Sequence, residues 1–486
     1  MRFLGSLQFV ALAISLLGCP SRAFAQSPAS SPAEVPKQDL AQFEGAYHYR
    51  EGLTLFMVSN GSQLFALIED SKYTLRRSGN DAFLNPVGGV LPFVRDSQGH
   101  IVAFKEQGDT FTRTSTTVPA SARVRLEPRA TTSKGQIPSY RYKAPIQLAD
   151  GIRVGRAGTA ALSAEIAEQL VNGVITGKYS DVDSLLIYHK GSLVLEEYFY
   201  GFSRQRPHGM ISLSKSVIAL LAGAAVDREL LKADEPVLDR LGYSEFQHAD
   251  PRKAKITLLN LLANQSGLAC NEHDRNSPGS EAHLFETADW VRAFVDLPMI
   301  AEPGTEARYC SGGFFATGRI IERVSGKSLP EFADEVLFKP LGIPRSAWKW
   351  KFSLSSSERT TFGQVYLTPR TMLKLGMLIQ DRGIWQGQQV ISSSWIDAAV
   401  GHQSHVDDSD YGLGIWHRWY GVQTATGYRR VDTVMLSGNG GQKVYLVPTL
   451  DLIAVSTGNA FFVESPMNEI MSSVLLPALL TAIAKE

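Results

Sequence analysis

The sequence is poor in cysteine and has no excess of either charge. Three cysteines occur among 486 residues, and neither a Cys-x-x-Cys pair nor a His-Glu-x-x-His stretch is present, so we predict no metal site and no other cofactor. Lys plus Arg and Asp plus Glu number 48 each. This balance leaves no net field to attract nucleic acid or an anionic membrane surface. The expected partner is therefore a small molecule.

Long apolar runs are also absent beyond the N-terminus, which argues against a membrane-spanning helix. The run at 3–17 is shorter than the ~20 residues that a bilayer requires. Small residues at 23–25 follow it, a pattern typical of a secretory signal, so we predict cleavage before Gln26 and a periplasmic or secreted protein. The residues around Cys19 also resemble a lipoprotein cleavage box, although Pro20 makes this the weaker match.

Cleavage at that point leaves two cysteines, Cys270 and Cys310, in an oxidising compartment. They either form a disulfide that closes a loop of roughly 40 residues or remain two buried thiols. Sequence alone gives no Cα separation, so both alternatives stay open.

Composition along the chain predicts five segments. A signal peptide at 1–25 is followed by a Ser/Pro/Ala-rich linker at 26–39. Region 40–116 alternates short β-forming runs with turn residues, which favours a small antiparallel barrel or curled sheet. A proline-bearing linker at 117–149 then leads to a larger domain at 150–486. The β-forming runs of the small domain are 53–58, 64–68, 83–85, 92–95 and 101–105.

The larger domain mixes helical and strand periodicities. A hairpin is predicted near its start and two strands near its end, with helices between them. One sheet assembled from distant segments of this kind indicates an α/β or α+β domain. The predicted elements are a helix at 162–175, hairpin strands at 185–188 and 193–199, strands at 443–447 and 452–456, and a helix at 467–484.

The strongest local motif is Ser212-Leu213-Ser214-Lys215, which opens the apolar helix predicted at 217–226. Residues three apart share one helix face, so Ser212 and Lys215 are neighbours. A serine at a helix start lies where unpaired N–H groups favour developing negative charge, and a desolvated lysine beside it can accept the serine proton. The alternative is a capping serine followed by a solvent-facing lysine.

Together with five further segments, this motif resembles the serine β-lactamase, D-Ala-D-Ala peptidase and esterase family over nearly all of 150–486. The resemblance implies a β-lactamase-like transpeptidase domain with a central antiparallel sheet flanked by helices, and a serine hydrolase activity. The further segments are the hairpin at 186–200, the helix and Ser-Gly turn at 257–268, the Tyr-containing segment at 303–313, and the stretches 365–370 and 438–442.

The resemblance also implies roles for individual residues. Ser212 would be the nucleophile, with Lys215 and Tyr309 as proton-transfer groups and the phenolate character of Tyr309 supported by Lys215. Gly438 would line the cleft, where a missing side chain lets substrate approach the backbone. The oxyanion hole would combine the Ser212 N–H with one from Asn439 or Gly440.

Two departures from the family pattern bear on the substrate. Ser311 stands where the family has an asparagine and is expected to contact substrate, but it offers one hydroxyl instead of an amide. Leu436 stands where a lysine or histidine would pair with a substrate carboxylate. Hydrolysis of an ester or an uncharged amide is therefore favoured over β-lactam or D-Ala-D-Ala cleavage. The alternative is a catalytically lapsed penicillin-binding-like protein that binds a wall fragment or other small ligand.

A further acidic stretch, Glu272-His273-Asp274, lies among turn-forming residues. It is interpreted either as an acid-base cluster or as a solvated loop, and the turn-rich surroundings favour the loop. The stretch 411–416 is similarly interpreted as a pocket lining or as a buried strand, and we favour the strand.

Overall fold

The computed structural model describes residues 40–50, 53–129, 137–158, 162–274, 276–351, 364–424 and 427–483. The expected signal peptide, Cys19 and the linker at 26–39 lie outside these ranges. The chain folds into two compact units, which we call the barrel unit and the larger unit. Among the described residues, the barrel unit comprises those up to 138 together with 199–201. None of the described helices has the length and apolar character to cross a bilayer.

In the barrel unit, eight antiparallel strands close on themselves in sequential order. The strands are β1 (Gly45–Arg50), β2 (Leu53–Ser59), β3 (Leu64–Ile68), β4 (Ser71–Arg77), β5 (Ala82–Leu84), β6 (Val90–Arg95), β7 (Ile101–Glu106) and β8 (Asp109–Ser115). The five predicted runs fall on β2, β3, β5, β6 and β7. The residues that form β1, β4 and β8 are mostly polar or charged and include no run of aliphatic residues, so the sequence pattern does not single them out.

Alternation of side chains fills the barrel with aromatic rings. In β6, Leu91 and Phe93 are buried while Val90 and Pro92 are exposed, because successive strand residues face opposite sides. Phe93 lies edge-on to Phe43, with ring centroids 4.9 Å apart. The interior is therefore packed mainly with apolar rings, and the buried Asn85 donates a hydrogen bond to the buried Glu106 carboxylate at 3.2 Å.

The barrel unit extends beyond its last strand. A short helix, α1 (Ala120–Arg123), follows β8. Val118 and Ala122 form a small buried cluster with Val58 of β2 and Leu67 of β3. The first part of the expected linker at 117–149 thus packs onto the barrel through these apolar side chains.

The larger unit is built on an eight-stranded antiparallel sheet. Its strands are β9 (Val182–His189), β10 (Ser192–Tyr198), β16 (Ser404–Val406), β17 (Ser409–Tyr411), β18 (Trp416–Thr424), β19 (Gly427–Gly438), β20 (Gln442–Val447) and β21 (Leu452–Gly458). Their order across the sheet is β10-β9-β21-β20-β19-β18-β17-β16. Strand β9, from the start of the region, pairs with β21, from its end, which confirms the predicted sheet assembled from distant segments. Smaller sheets contain β11 (His208–Gly209), β12 (Trp348–Lys351), β13 (Gln364–Leu367), β14 (Ile384–Trp385) and β15 (Gln388–Gln389).

Helices supply the rest of the larger unit. They are α2 (Ala164–Ile175), α3 (Leu213–Asp227), α4 (Leu258–Leu262), α5 (Glu281–Leu284), α6 (Trp290–Val295), α7 (Gly312–Ser325), α8 (Leu329–Ala333), α9 (Pro369–Gln380), α10 (Ser393–Ala399), α11 (Pro466–Ile470) and α12 (Leu476–Ile483). The predicted helix at 162–175 corresponds to α2, which begins after Ser163, whose side chain accepts a hydrogen bond from the Ile166 N–H.

Helix α3 runs through the core and brings its N-terminus to the sheet. Its first thirteen residues are buried, as expected for a helix that is apolar on all sides. The end of β19 touches the turn before it, since a Cβ on Gly438 would lie 2.1 Å from the Met210 carbonyl oxygen. Only glycine permits this approach, which places the start of α3 against the sheet.

Candidate active site

The turn before α3 is strained and carries Ser212. Ile211 has a φ of 51°, a conformation that β-branched residues rarely adopt. Such strain persists only where surrounding contacts enforce it, and it clusters at functional sites. Ser212 follows at the N-terminal boundary of α3, where the positive end of the helix dipole favours developing negative charge.

One helical turn separates Ser212 from Lys215, and their side chains meet. The Lys215 ammonium donates a hydrogen bond to Ser212 Oγ at 3.0 Å. Both residues are buried, with 8% and 2% of their surfaces exposed. The alternative of a capping serine with a solvent-facing lysine does not describe this arrangement.

Tyr309 lies beside this pair, and hydrogen bonds from the residues before and after it in the sequence hold its position. The N–H of Arg308 donates to the Asn264 carbonyl oxygen at 2.9 Å, and the N–H of Cys310 donates to Asn264 Oδ1 at 3.0 Å. Cys310 also forms a disulfide with Cys270. The Lys215 ammonium lies 5.1 Å from the centre of the Tyr309 ring, so the structure brings the three predicted catalytic residues together.

Aromatic rings surround Tyr309. His273 stacks on it at a centroid separation of 5.5 Å, and Trp416 packs against it at 5.2 Å. Tyr411 meets it edge-on at 6.4 Å. The stretch favoured as a strand at 411–416 is instead the turn between β17 and β18, and its two end aromatics contact Tyr309 because the chain reverses between them.

Two buried glutamates lie behind Lys215. One carboxylate oxygen of Glu281 is 3.6 Å from the Lys215 ammonium and also accepts a hydrogen bond from the Ser311 hydroxyl. The Glu272 carboxylate accepts from the N–H of Ser311 at 3.0 Å and from the N–H of Glu281 at 2.7 Å. These two N–H groups belong to the starts of α7 and α5, where an anion is favourable.

The expectation of a solvated loop at 272–274 was therefore wrong for Glu272, which is 2% exposed. The disulfide joins Cys270 to the segment that carries Tyr309, and this covalent link draws the following residues into the interior. No spacing in the sequence predicted that Glu281 would join them. The available signals were the two cysteines and an acidic residue two positions after one of them.

Burial and charge together displace the pKa values of this cluster. Burial lowers the pKa of the Lys215 ammonium, and the Glu281 and Glu272 carboxylates offset only part of this effect. Burial, reinforced by the neighbouring charge of Glu272, raises the pKa of Glu281 to about 8. The pKa of Glu272 is also raised by burial. All three pKa shifts are toward the neutral form of the side chain.

The pKa of Tyr309 is shifted away from the expected phenolate form, toward the neutral phenol. Burial raises its pKa well above the ordinary tyrosine value, and the Ser212 hydroxyl beside it offsets this only in part. The carboxylates of Glu281 and Glu272 raise the pKa further. The resting side chain is therefore a phenol that can donate a proton.

Gly438, the last residue of β19, lies against the turn that carries Ser212. A Cβ on Gly438 would lie 3.2 Å from the Leu213 nitrogen, so this strand end touches the start of α3. The N–H of Gly440 donates to Asn439 Oδ1 at 2.7 Å, so this N–H already has a partner. Leu436 is fully buried in the core between sheet and helices.

Ser311 is placed by the structure beside the glutamates. It is fully buried, and its hydroxyl is occupied by Glu281. In the resting enzyme this hydroxyl thus supports the lysine-glutamate cluster. Direct contact of Ser311 with substrate stays a prediction.

The chain is similar to known proteins in both sequence and fold. A family model described as Beta-lactamase matches residues 172–469. Among curated proteins, the 6-aminohexanoate-dimer hydrolase of Paenarthrobacter ureafaciens is 26% identical over 298 residues, which cover 56% of this chain and 71% of that protein. Penicillin-binding protein 4 of Amycolatopsis lactamdurans is 28% identical over 204 residues, which cover 40% of this chain and half of that protein.

Solved structures support the same architecture. The crystal structure of a family VIII carboxylesterase superposes with a TM-score of 0.50 at 15% sequence identity. The match covers 68% of this chain and 98% of that one. At this identity the likeness concerns the fold of the larger unit, with helices on a central antiparallel sheet.

Proposed function

Because the chain belongs to the Beta-lactamase family, whose model spans 172–469, we propose that it is an exported serine hydrolase. It cleaves an ester or amide bond of a small substrate through an acyl-enzyme on Ser212. The observation that carries this proposal is the 3.0 Å hydrogen bond between Lys215 and Ser212 in a buried setting that favours a neutral lysine. Export rests on the N-terminal sequence pattern.

In the first step, the neutral Lys215 amine accepts the proton of Ser212 as Oγ attacks the substrate carbonyl carbon. A bond forms between Oγ and carbon, and the carbonyl oxygen becomes an oxyanion. The N–H groups of Ser212 and Asn439 are the proposed donors to that oxygen.

In the second half of acylation, the tetrahedral intermediate collapses and the bond to the leaving oxygen or nitrogen breaks. The Tyr309 phenol donates its proton to the leaving group, and the Lys215 ammonium returns a proton to the tyrosine oxygen. Water then attacks the acyl-enzyme, with Lys215 and Tyr309 serving again as the proton-transfer groups. The products are a carboxylic acid and an alcohol or amine.

The relatives favour hydrolysis over mere binding. The 6-aminohexanoate-dimer hydrolase is by its name a hydrolase. A lapsed binding protein has no need of a buried lysine beside a buried serine, because burying an ammonium is costly. The complete set of Ser212, Lys215 and Tyr309 therefore favours the enzyme.

The test is turnover of 4-nitrophenyl butyrate by the purified protein, with mass spectrometry of the acylated chain after acid quenching. We expect nitrophenol release and a butyryl adduct on Ser212, both abolished in Ser212→Ala. Ser216→Ala is the matched control, since this buried serine on the same helix donates to the Gly414 carbonyl oxygen and has no proposed role. Release without an adduct on Ser212, or equal rates in both variants, would refute the proposal.

A further inference from the structure

A cluster of metal-ligating side chains lies at the end of the eight-stranded sheet that contains β16, β17 and β18. One ring nitrogen each of His402 and His417 and one carboxylate oxygen of Asp432 lie within 4.8 Å of one another. Among the described residues, no other three histidine, cysteine or acidic side chains come together in this way. None of these residues takes part in the proposed mechanism.

A backbone carbonyl fixes the orientation of His417, whose side chain is 3% exposed. Its Nε2 lies 2.8 Å from the Val400 carbonyl oxygen, which can only accept a hydrogen bond, so Nε2 carries a proton. Its Nδ1 then faces the Asp432 carboxylate, at 3.2 and 3.1 Å from the two oxygens. A lone pair on Nδ1 would point at a negative charge, so the position between these groups favours a cation, either a proton or a metal ion.

A second imidazole favours the metal ion over the proton. The ring of His402 stacks on that of His417, with centroids 4.0 Å apart. Two protonated imidazoles at this distance repel each other, whereas a metal ion binds both rings in their neutral form. Ligand atoms of a tetrahedral ion bound at about 2.0 to 2.1 Å are about 3.4 Å apart. The His402 side chain is 49% exposed, so a small rotation of its ring can close the cluster around an ion.

Asp410 gives His402 the partner that a metal-binding histidine usually has. One of its carboxylate oxygens lies 3.1 Å from His402 Nδ1. Histidines that bind a metal generally donate their second N–H to a carboxylate or a backbone carbonyl, which fixes the ring and raises its basicity as a ligand. The Val400 carbonyl has the same relation to His417. Each ring thus has one nitrogen held by the protein and one left for an ion.

Strand pairing explains why these side chains meet. His417 of β18 pairs with Val434 of β19, and Asp432 is two residues away on β19, so His417 and Asp432 are diagonal neighbours on one face of the sheet. Trp416 precedes His417 and points to the opposite face, where its ring packs against Tyr309. The cluster therefore lies behind the strand that supports Tyr309.

We propose that His402, His417 and Asp432 bind one divalent transition-metal ion such as Zn²⁺, with water completing its coordination. Two imidazoles and a carboxylate suit Zn²⁺, whereas Mg²⁺ and Ca²⁺ prefer sites built from oxygen ligands. The ion links β18 and β19 to the segment after α10 and stabilises the folded chain by binding to it. The site does not depend on Ser212, so it can be tested separately from the proposed function. The expectation of no metal site relied on two local motifs, whereas these ligands come from three separate segments.

Equilibrium dialysis of the full chain against Zn²⁺, followed by metal analysis, measures the number of bound ions and their affinity. The protein is prepared without a polyhistidine tag and is first stripped with EDTA. Thermal unfolding with and without Zn²⁺ provides a second readout. We expect one bound Zn²⁺ per chain and a higher unfolding temperature in its presence, with no effect of Mg²⁺ at the same concentration.

Substitution of partly exposed ligands tests the site without disturbing the core. His402→Ala and Asp432→Asn should each weaken Zn²⁺ binding by more than about 100-fold, since loss of a ligand costs more than the loss of a group that orients one. Asp410→Asn should weaken it by about 10-fold. His405→Ala is the matched control, because this exposed histidine also lies 3.1 Å from Asp410 but has no proposed contact with the ion, and it should bind Zn²⁺ as the wild type does.

Absence of stoichiometric Zn²⁺ binding by the wild type would overturn the proposal and leave the cluster as a network of ion pairs. Undiminished binding in His402→Ala or in Asp432→Asn would also overturn it. An equal loss in His405→Ala would do the same, because Zn²⁺ would then be held by a different set of exposed histidines.

Discussion

The larger unit contains two buried clusters of ionisable side chains, and the pKa values of their glutamates are shifted in opposite directions. The catalytic cluster consists of Lys215, Glu272 and Glu281, and the structural cluster consists of Asp150, Glu196 and Arg370. Each contains one basic side chain and two acidic ones. They differ in how completely the charges are paired.

In the structural cluster every charge has a close partner. Arg370 donates to the two carboxylate oxygens of Glu196 at 2.8 and 2.7 Å, and to Asp150 at 2.7 Å. Burial alone would raise the pKa of Glu196, but hydrogen bonds from Arg370, Arg204 and Tyr198 outweigh it and hold that pKa at about 2. The cluster is therefore locked as ions, and it joins β10 to α9.

In the catalytic cluster the pairing is incomplete. The lysine-glutamate contact is 3.6 Å long, and within the described part of the chain the other oxygen of Glu281 has no hydrogen-bond partner. Burial then dominates, so the pKa of Lys215 falls and that of Glu281 rises. Complete pairing thus keeps the buried side chains of the structural cluster ionised, and they serve the stability of the fold. Incomplete pairing allows the side chains of the catalytic cluster to exchange a proton, as general acid-base catalysis requires.

The largest expected effect comes from removing the catalytic base. Lys215→Met should lower kcat/KM by about 10³- to 10⁴-fold, toward the upper end of what general-base catalysis supplies. It should leave the chain folded, because it removes a poorly paired buried charge. Ester hydrolysis measured beside urea unfolding checks both parts. If Lys215→Met lowered the free energy of unfolding as much as loss of Arg370 does, the catalytic cluster would also be a structural one, which contradicts this distinction.

The structural cluster should respond to Glu196→Gln with a loss of stability. Removing one partner of a buried pair costs about 3 to 5 kcal/mol of unfolding free energy at pH 7. Since the folded pKa of about 2 lies below the ordinary value of 4.5, this stabilisation is complete above pH 4.5 and disappears as pH falls toward 2.

Urea unfolding of both proteins between pH 2 and 7 measures the difference, which should shrink steadily on acidification. The kcat/KM profile of the folded variant should keep its wild-type pH dependence. A shift of that profile would mean that Glu196 is coupled to the catalytic cluster after all.

The same substitution at Glu281 should act with the opposite sign. Its folded pKa of about 8 lies above the ordinary value of 4.5, so in the native enzyme it lowers stability as pH rises from 4.5 to 8. Glu281→Gln removes this effect, and its stability relative to wild type should improve by up to about 5 kcal/mol across that range. A relative stability that stays constant with pH would contradict an exchangeable proton at Glu281.

Activity gives a second readout for Glu281. The Glu281 carboxylate raises the pKa of Lys215, so Glu281→Gln should move the acid limb of the kcat/KM profile to lower pH by about one unit. Glu272→Gln should act in the same direction with a smaller shift, because its charge contributes less. If the acid limb did not move in either variant, the two glutamates would not influence the pKa of Lys215, which would contradict this account.

The smallest effect is expected for Ser311→Ala. Its hydroxyl donates to Glu281, and loss of that bond raises the pKa of Glu281 further. We expect kcat to change within about 10-fold and KM to stay nearly constant. A large rise in KM with unchanged kcat would instead favour direct contact with substrate, as the family's asparagine at this position implies.

Much of the fold could be predicted because local patterns are strong there. The hairpin of β9 and β10, helix α2 and strands β20 and β21 all carry dense apolar periodicity. Polar barrel strands such as β4 were missed, because their identity comes from closure of the barrel and not from their own composition.

The nucleophile and its partners were also accessible from the sequence, since Ser212 and Lys215 are one helical turn apart. The glutamates were not, because Glu272 and Glu281 reach Lys215 only through the disulfide and the packing of three helix starts. The proposed metal site was not predicted for a similar reason: His417 and Asp432 lie on neighbouring strands whose pairing sequence spacing does not reveal.

Activation of Ser212 by the catalytic cluster can be measured as the rate at which a fluorophosphonate probe modifies this serine at each pH, followed by intact mass and peptide mapping. We predict a single adduct on Ser212, absent in Ser212→Ala, with a rate that rises as Lys215 loses its proton and a rise that moves to lower pH in Glu281→Gln. No adduct under conditions that label a known serine hydrolase would contradict an activated nucleophile, and a rate independent of pH would contradict its activation by the catalytic cluster.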